Sequence, residues 1–139
     1  MEYLERNIIY NGEIHIPVLT LHTTGDGLVV VQNESAYRQV VNEEGNEQFL
    51  RRTFVSRAGH CTFTPAETIA AVQTLLDRLD TGRWHDINSR DLNNAAAALG
   101  PKFNIFVNTL GMIVPVQPAF VDFKPSRYLR PFDAETEDR

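Results

Sequence analysis

The sequence predicts an α/β fold built on parallel strands. Two β-prone runs, residues 14–22 and 49–56, each lead into a glycine-bearing polar loop, and each loop precedes a segment of helical periodicity. A strand–loop–helix order given twice in succession calls for parallel strands joined by right-handed crossovers.

The first run starts with alternation and becomes nearly continuous in apolar residues (Ile16, Pro17, Val18, Leu19, Leu21), the pattern of a strand buried on both faces. Pro17 cannot donate to a ladder and belongs at its start. Thr23-Thr24-Gly25-Asp26-Gly27 follows as a loop at the strand's C-terminal end, where open parallel sheets place their ligands. Ala36, Tyr37, Val40 and Val41 then fall at helical spacing over 33–44, with Asn33 as cap and Gly45 as terminator. The second strand carries Leu50, Phe54 and Val55 and runs into Arg57-Ala58-Gly59-His60. Thr64-Pro65-Ala66-Glu67 combines a capping box with proline at the first helical position. Ile69, Val72, Leu75, Leu76 and Leu79 form the expected core stripe of that helix, and Gly82 ends it. After Trp84 come a polar connector, a short alanine-rich helix around 92–99 and Gly100-Pro101. Residues 103–132 are β-prone but interrupted by four prolines, so they read as extended segments over the core, with a hairpin near Gly111.

Composition narrows the function. The chain has 139 residues, 42% of them hydrophobic, enough for one core and too few for two. A formal charge of −5, with Lys102 and Lys124 as the only lysines, argues against a nucleic-acid surface, which needs clustered cations. Arg51-Arg52 reads as a solvated strand edge. Cys61 is the single cysteine, so neither an internal disulfide nor a cysteine zinc site can form. His15, His22 and His85 lack ligand spacing, and no cofactor motif appears, so neither a metal nor a cofactor is expected. Glu2 and Glu5 stand where a signal peptide would be basic, no apolar run reaches the roughly 20 residues of a membrane span, and the compartment stays open.

The candidate chemistry is a carboxylate after one parallel strand and a histidine after the next, Asp26 and His60. Such a pair is the orienting half of a nucleophilic triad, in which the carboxylate fixes the imidazole and steadies its charged form. Each residue also has a plainer use, Asp26 in a glycine-flanked turn and His60 as a capping or core histidine. Cys61 and Ser56 are the rival nucleophiles nearby; a buried cysteine is more often packing.

In these residues the chain resembles the α/β-hydrolase superfamily. The order over 14–82, a Gly-Asp-x-x-Val loop, a Gly-His loop and a capped final helix is similar to that family's closing segment. The resemblance implies catalytic roles for Asp26 and His60 and a partial hydrolase sheet. It also implies hydrolysis of a carboxylic ester or related acyl bond in a longer parent. The family's Gly-x-Ser-x-Gly elbow is not among these residues; Ser35, Ser56, Ser89 and Ser126 lack the flanking glycines. The organisation expected from it is residues 1–84 as the acid and histidine part, 85–132 as an extension on the same unit, and 133–139 as a frayed acidic tail. The chain alone is expected to be inactive, with a weak esterase using a surrogate nucleophile, or a non-catalytic self-associating module, as alternatives. An open edge on the first strand points to a homodimer or to pairing with an N-terminal hydrolase fragment.

Overall fold

Residues Val18–Gly25 form β1 in the computed structural model, which describes residues 3, 10–85, 87–108 and 110–128. The strand begins four residues later than the periodicity suggested. Pro17 is the reason: the ladder starts immediately after it, leaving Ile16 outside the sheet and exposed. At the other end Thr23 and Thr24, read as loop, continue the strand, so Asp26 follows its last residue directly.

Helix α1 spans Asn33–Glu43. Asn33 is its first helical residue and not its cap; Gln32 holds that position without a side-chain capping bond, and backbone bonds from Asn33 and Glu34 to Val30 and Val31 make the entry. Its exit is a left-handed Gly45 (φ +70°), with Gly45 N–H on Asn42 O and Asn46 N–H on Val41 O. The helix is tied to the sheet through the buried Glu34, whose carboxylate accepts from Thr20 Oγ1 at 2.8 Å.

A 3₁₀ turn at Glu47–Phe49 leads into β2, Leu50–Ala58. β1 and β2 are parallel, Val18 opposite Leu50 through Thr23 opposite Val55. The register then slips by one residue, so that Gly25 faces Ala58. An irregularity here re-aims both chains just where the two loops begin.

Helix α2, Pro65–Thr81, starts at the expected capping box and stops at Gly82 (φ +73°). Its buried face is not the one expected. Ala66, Glu67, Ala70, Ala71 and Thr74 are buried, while Val72, Leu76 and Leu79 are exposed at 50%, 52% and 56%. Small residues let α2 approach the sheet and helix α3 (Ser89–Ala98) closely, and the large aliphatics are left on the opposite side.

Beyond α3, β3 (Ile105–Val107) and β4 (Ile113–Pro115) make the hairpin expected near Gly111, which adopts φ +75°. Within the extension a further short strand, β5 (Phe120–Val121), pairs antiparallel with β2, a pairing that no local pattern announces. The main sheet therefore runs β1-β2-β5, and among the described residues no strand pairs with the second edge of β1. The architecture is mixed α/β, a small parallel and antiparallel sheet with three α-helices among the described residues. Val55, Ala66, Ala70, Leu92, Ala96 and Phe120 form the core, drawn from β2, α2, α3 and β5. No helix among the described residues is long and apolar enough to cross a membrane. The expectation for 133–139 lies outside the described residues.

Candidate functional site

The ends of β1 and β2 are laced together before either loop begins. Thr23, 1% exposed, donates through Oγ1 to Gly59 O at 2.7 Å, and Gly59 N–H donates to Gly25 O at 3.0 Å. Both glycines sit where a side chain would be crowded. A Cβ on Gly25 would stand 3.1 Å from Ala58 Cα and Arg57 O, both backbone atoms. Gly59 has φ +98°, and a Cβ there would meet Thr62 Cγ2 at 2.8 Å.

This lacing brings Asp26 and His60 together. His60 Nδ1–H donates to Asp26 Oδ2 at 2.8 Å. The other oxygen, Oδ1, accepts the backbone N–H groups of Leu28 (2.8 Å) and Val29 (2.9 Å), closing an Asx turn that fixes the carboxylate. The turn reading and the orienting reading are thus served by different oxygens of one side chain. The Asp26 side chain is 4% exposed and that of His60 45%. Burial pushes the Asp26 carboxyl up, but bonds from Val29 N–H, His60 and Leu28 N–H, with the His60 charge, outweigh it and hold the group down to about 2. With an ionised carboxylate accepting from Nδ1–H, Nε2 of a neutral ring is left as the outward acceptor.

Cys61 stands at that acceptor, its Sγ 3.5 Å from His60 Nε2. It is the one non-glycine with positive φ among the described residues (φ +52°), and this turn of the backbone is what swings a neighbouring side chain back onto the ring. No serine among the described residues hydrogen-bonds to His60. Ser89 is held by Asp122 at the start of α3, and Ser126 accepts from Gln32.

The loop is fixed from behind by residues that sequence reasoning did not single out as a pair. Arg57 Nη1 donates to Thr62 O (2.7 Å) and to Glu67 Oε2 (2.6 Å), and Nη2 donates to Glu67 Oε1 (2.9 Å). Glu67 was legible only as a helix cap, accepting Thr64 N–H at 2.8 Å.

A cleft of about 520 Å³ opens beside the loop, lined by Cys61, Phe63 and Pro65 on one wall and Ile105, Phe106 and Val107 of the hairpin on the other. Among the phenylalanines of the C-terminal extension, Phe106 lines this cleft, Phe120 is core and Phe123 stacks edge-on to Phe54. A second cavity of about 420 Å³ lies along the other half of β2, with Arg38, Arg51, Arg52 and Asp122 in its wall. His15, His22 and His85 are scattered onto Glu13, Thr23 O and Asp77, and no metal-ligating group of three or more occurs among the described residues.

No protein-family model matches the chain, and no solved structure matches it. A curated protein named o-phthalyl amidase, from Xanthobacter agilis, is 40% identical over 93 residues. The match takes in 67% of this chain and 20% of that protein, so the chain spans about a fifth of the length of the relative it resembles. A 93-residue stretch of a 139-residue chain necessarily contains residues 47–93, so Arg57, His60 and Glu67 lie within the similarity. Most of the chain is therefore similar to part of a hydrolase.

Proposed function

We propose that this chain supplies the acid and the histidine of a serine-type acyl hydrolase of the α/β-hydrolase kind. One observation carries the reading: a buried, ionised Asp26 on Nδ1 of a half-exposed His60, at the ends of adjacent parallel strands. In the proposed reaction Nε2 takes the proton of an incoming hydroxyl as that oxygen attacks the acyl carbon. It then returns the proton to the departing group, and a water repeats the cycle on the acyl-enzyme. Asp26 holds the tautomer and offsets the imidazolium charge without taking the proton. The bond cleaved is a carboxylic ester or amide; the amidase name of the relative favours an amide.

The serine and the oxyanion donors would come from outside these 139 residues. Two features support such a partner: an edge of β1 that pairs with no strand among the described residues, and the exposed α2 stripe of Val72, Leu76 and Leu79. In this reading residues 1–84 carry the pair and 85–132 complete the same unit. The alternative occupant of both surfaces is a second copy of the chain. The test is complementation. Adding a nucleophile-bearing hydrolase portion in trans is expected to give hydrolysis that His60→Ala abolishes, and hydrolysis indifferent to His60 would sink the reading.

A second reading is favoured by the Sγ–Nε2 distance of 3.5 Å: Cys61 as a surrogate nucleophile, giving the isolated chain weak esterase activity. It predicts turnover of a 4-nitrophenyl ester by the chain alone, lost in Cys61→Ser and in His60→Ala. The first reading predicts almost none, because oxyanion stabilisation, the largest single contribution, is absent.

A further inference from the structure

Glu67 does more than a capping box requires. A cap glutamate usually sits at the surface and accepts one backbone N–H; this one is fully buried and accepts from four donors. They are the two Arg57 nitrogens, Thr64 N–H at 2.8 Å and Ala119 N–H at 2.9 Å. Those donors come from the end of β2, the start of α2 and the extension after α3. Arg57, 15% exposed, adds a fifth link by donating to Thr62 O, two residues past His60.

The extension meets the same loop at further points. Ala119 O accepts Ser56 N–H at 2.7 Å, Phe103 O accepts Ala66 N–H at 3.0 Å, and the Arg57 guanidinium lies 5.8 Å from the Phe106 ring centre. A buried ion pair is generally no more stabilising than apolar residues of the same size. Stability alone is thus a poor account of this one, whereas fixing a loop's geometry from three directions needs directional charged bonds.

We infer that Arg57 and Glu67 are positioning residues for His60, and that through Ala119 the C-terminal extension forms part of the site. The geometric claim stands independently of catalysis; its functional meaning rests on the reading of Asp26–His60 as a catalytic pair. The pair locks Thr62 and Thr64 behind the loop, and the Thr23 and Gly25 bonds lock Gly59 in front. His60 is held between the two sets.

The test uses the full chain and the Nδ1–H proton of His60, whose bond to Asp26 gives a far-downfield NMR resonance, assigned by its loss in Asp26→Asn. Arg57→Lys keeps the charge and loses the two-pronged geometry; it is expected to broaden the resonance or speed its exchange with water at least tenfold. The double variant Arg57→Met, Glu67→Leu removes both charges together and so leaves no lone buried charge; circular dichroism shows whether it folds, since Thr64 and Ala119 N–H lose their acceptor, and the folded variant is expected to lose the resonance. Val41→Ala, a buried change on α1 that no bond of the Arg57–Glu67 pair reaches, is expected to retain it. If Arg57→Lys and the folded double variant both keep the wild-type resonance, the pair is structural only and the inference is overturned. If the double variant fails to fold, Arg57→Lys decides alone. A resonance that follows the pair while complementation yields no hydrolysis would preserve this inference and remove the proposed function.

Discussion

Phe120→Ala measures whether the extension belongs to the core or merely lies on it. Phe120 is 5% exposed, its ring packs in the cluster with Val55, Ala70 and Leu92, and its backbone makes both bonds to the Asn93 side chain, at 2.8 and 2.9 Å. Truncation returns roughly 150 Å² of apolar contact to solvent or void, which at about 25 cal/mol per Å² is about 4 kcal/mol. That lies inside the roughly 3–5 kcal/mol typical of buried Phe→Ala. Against a total of about 5–15 kcal/mol it is a large fraction. Urea unfolding followed by far-ultraviolet circular dichroism should show a midpoint lower by about 2 M, at a slope of about 2 kcal/mol per M. Trp84 gives a second probe, since its indole N–H donates to Gln48 O, ahead of β2. The two probes should report one coincident transition. A loss below about 1 kcal/mol, or two separate transitions, would refute the claim that the extension and the β1–β2 unit share one core.

Three further outcomes are expected. Gly25→Ala should destabilise the chain and disturb the Asp26–His60 bond, because its Cβ meets backbone at 3.1 Å, whereas Gly27→Ala, with open space around it, should be nearly neutral; equal thermal shifts would contradict this. Asp26 has a folded pKa near 2, below its ordinary 3.8, so it contributes stability above about pH 4 that is lost as pH falls towards 2. Asp26→Asn should flatten that part of the acid-unfolding curve, and an unchanged curve would mean the carboxylate is not held by these bonds. Leu76→Gln with Leu79→Gln, on the exposed face of α2, should cost little stability; if the chain self-associates in micromolar sedimentation through this face, the double variant should weaken that association, and association that persists unchanged would exclude this face.

What the sequence revealed follows from which forces act locally. Strand order, the α2 capping box and the Gly111 hairpin rest on short-range chemistry, and the structure has all three. So does the convergence of Asp26 and His60, since loops after neighbouring parallel strands must meet. The buried face of α2 was misjudged because periodicity counts hydrophobicity and not size; alanines at 66, 70 and 71 pack closer than leucines can. β5 is two residues long between prolines, and its pairing depends on β2 sixty-five residues earlier, which no local pattern encodes. The Arg57–Glu67 bond is likewise tertiary, and Glu67 had already been accounted for as a cap.

The central claim, that His60 is the general base of an acyl hydrolase, is most directly tested by a graft. The segment of the Xanthobacter agilis amidase that matches this chain would be replaced by the corresponding residues, which include His60, and amide hydrolysis measured at saturating substrate. The graft is expected to retain activity and to lose it on the order of 10⁴-fold or more in His60→Ala. A folded, active graft unaffected by that substitution would contradict it.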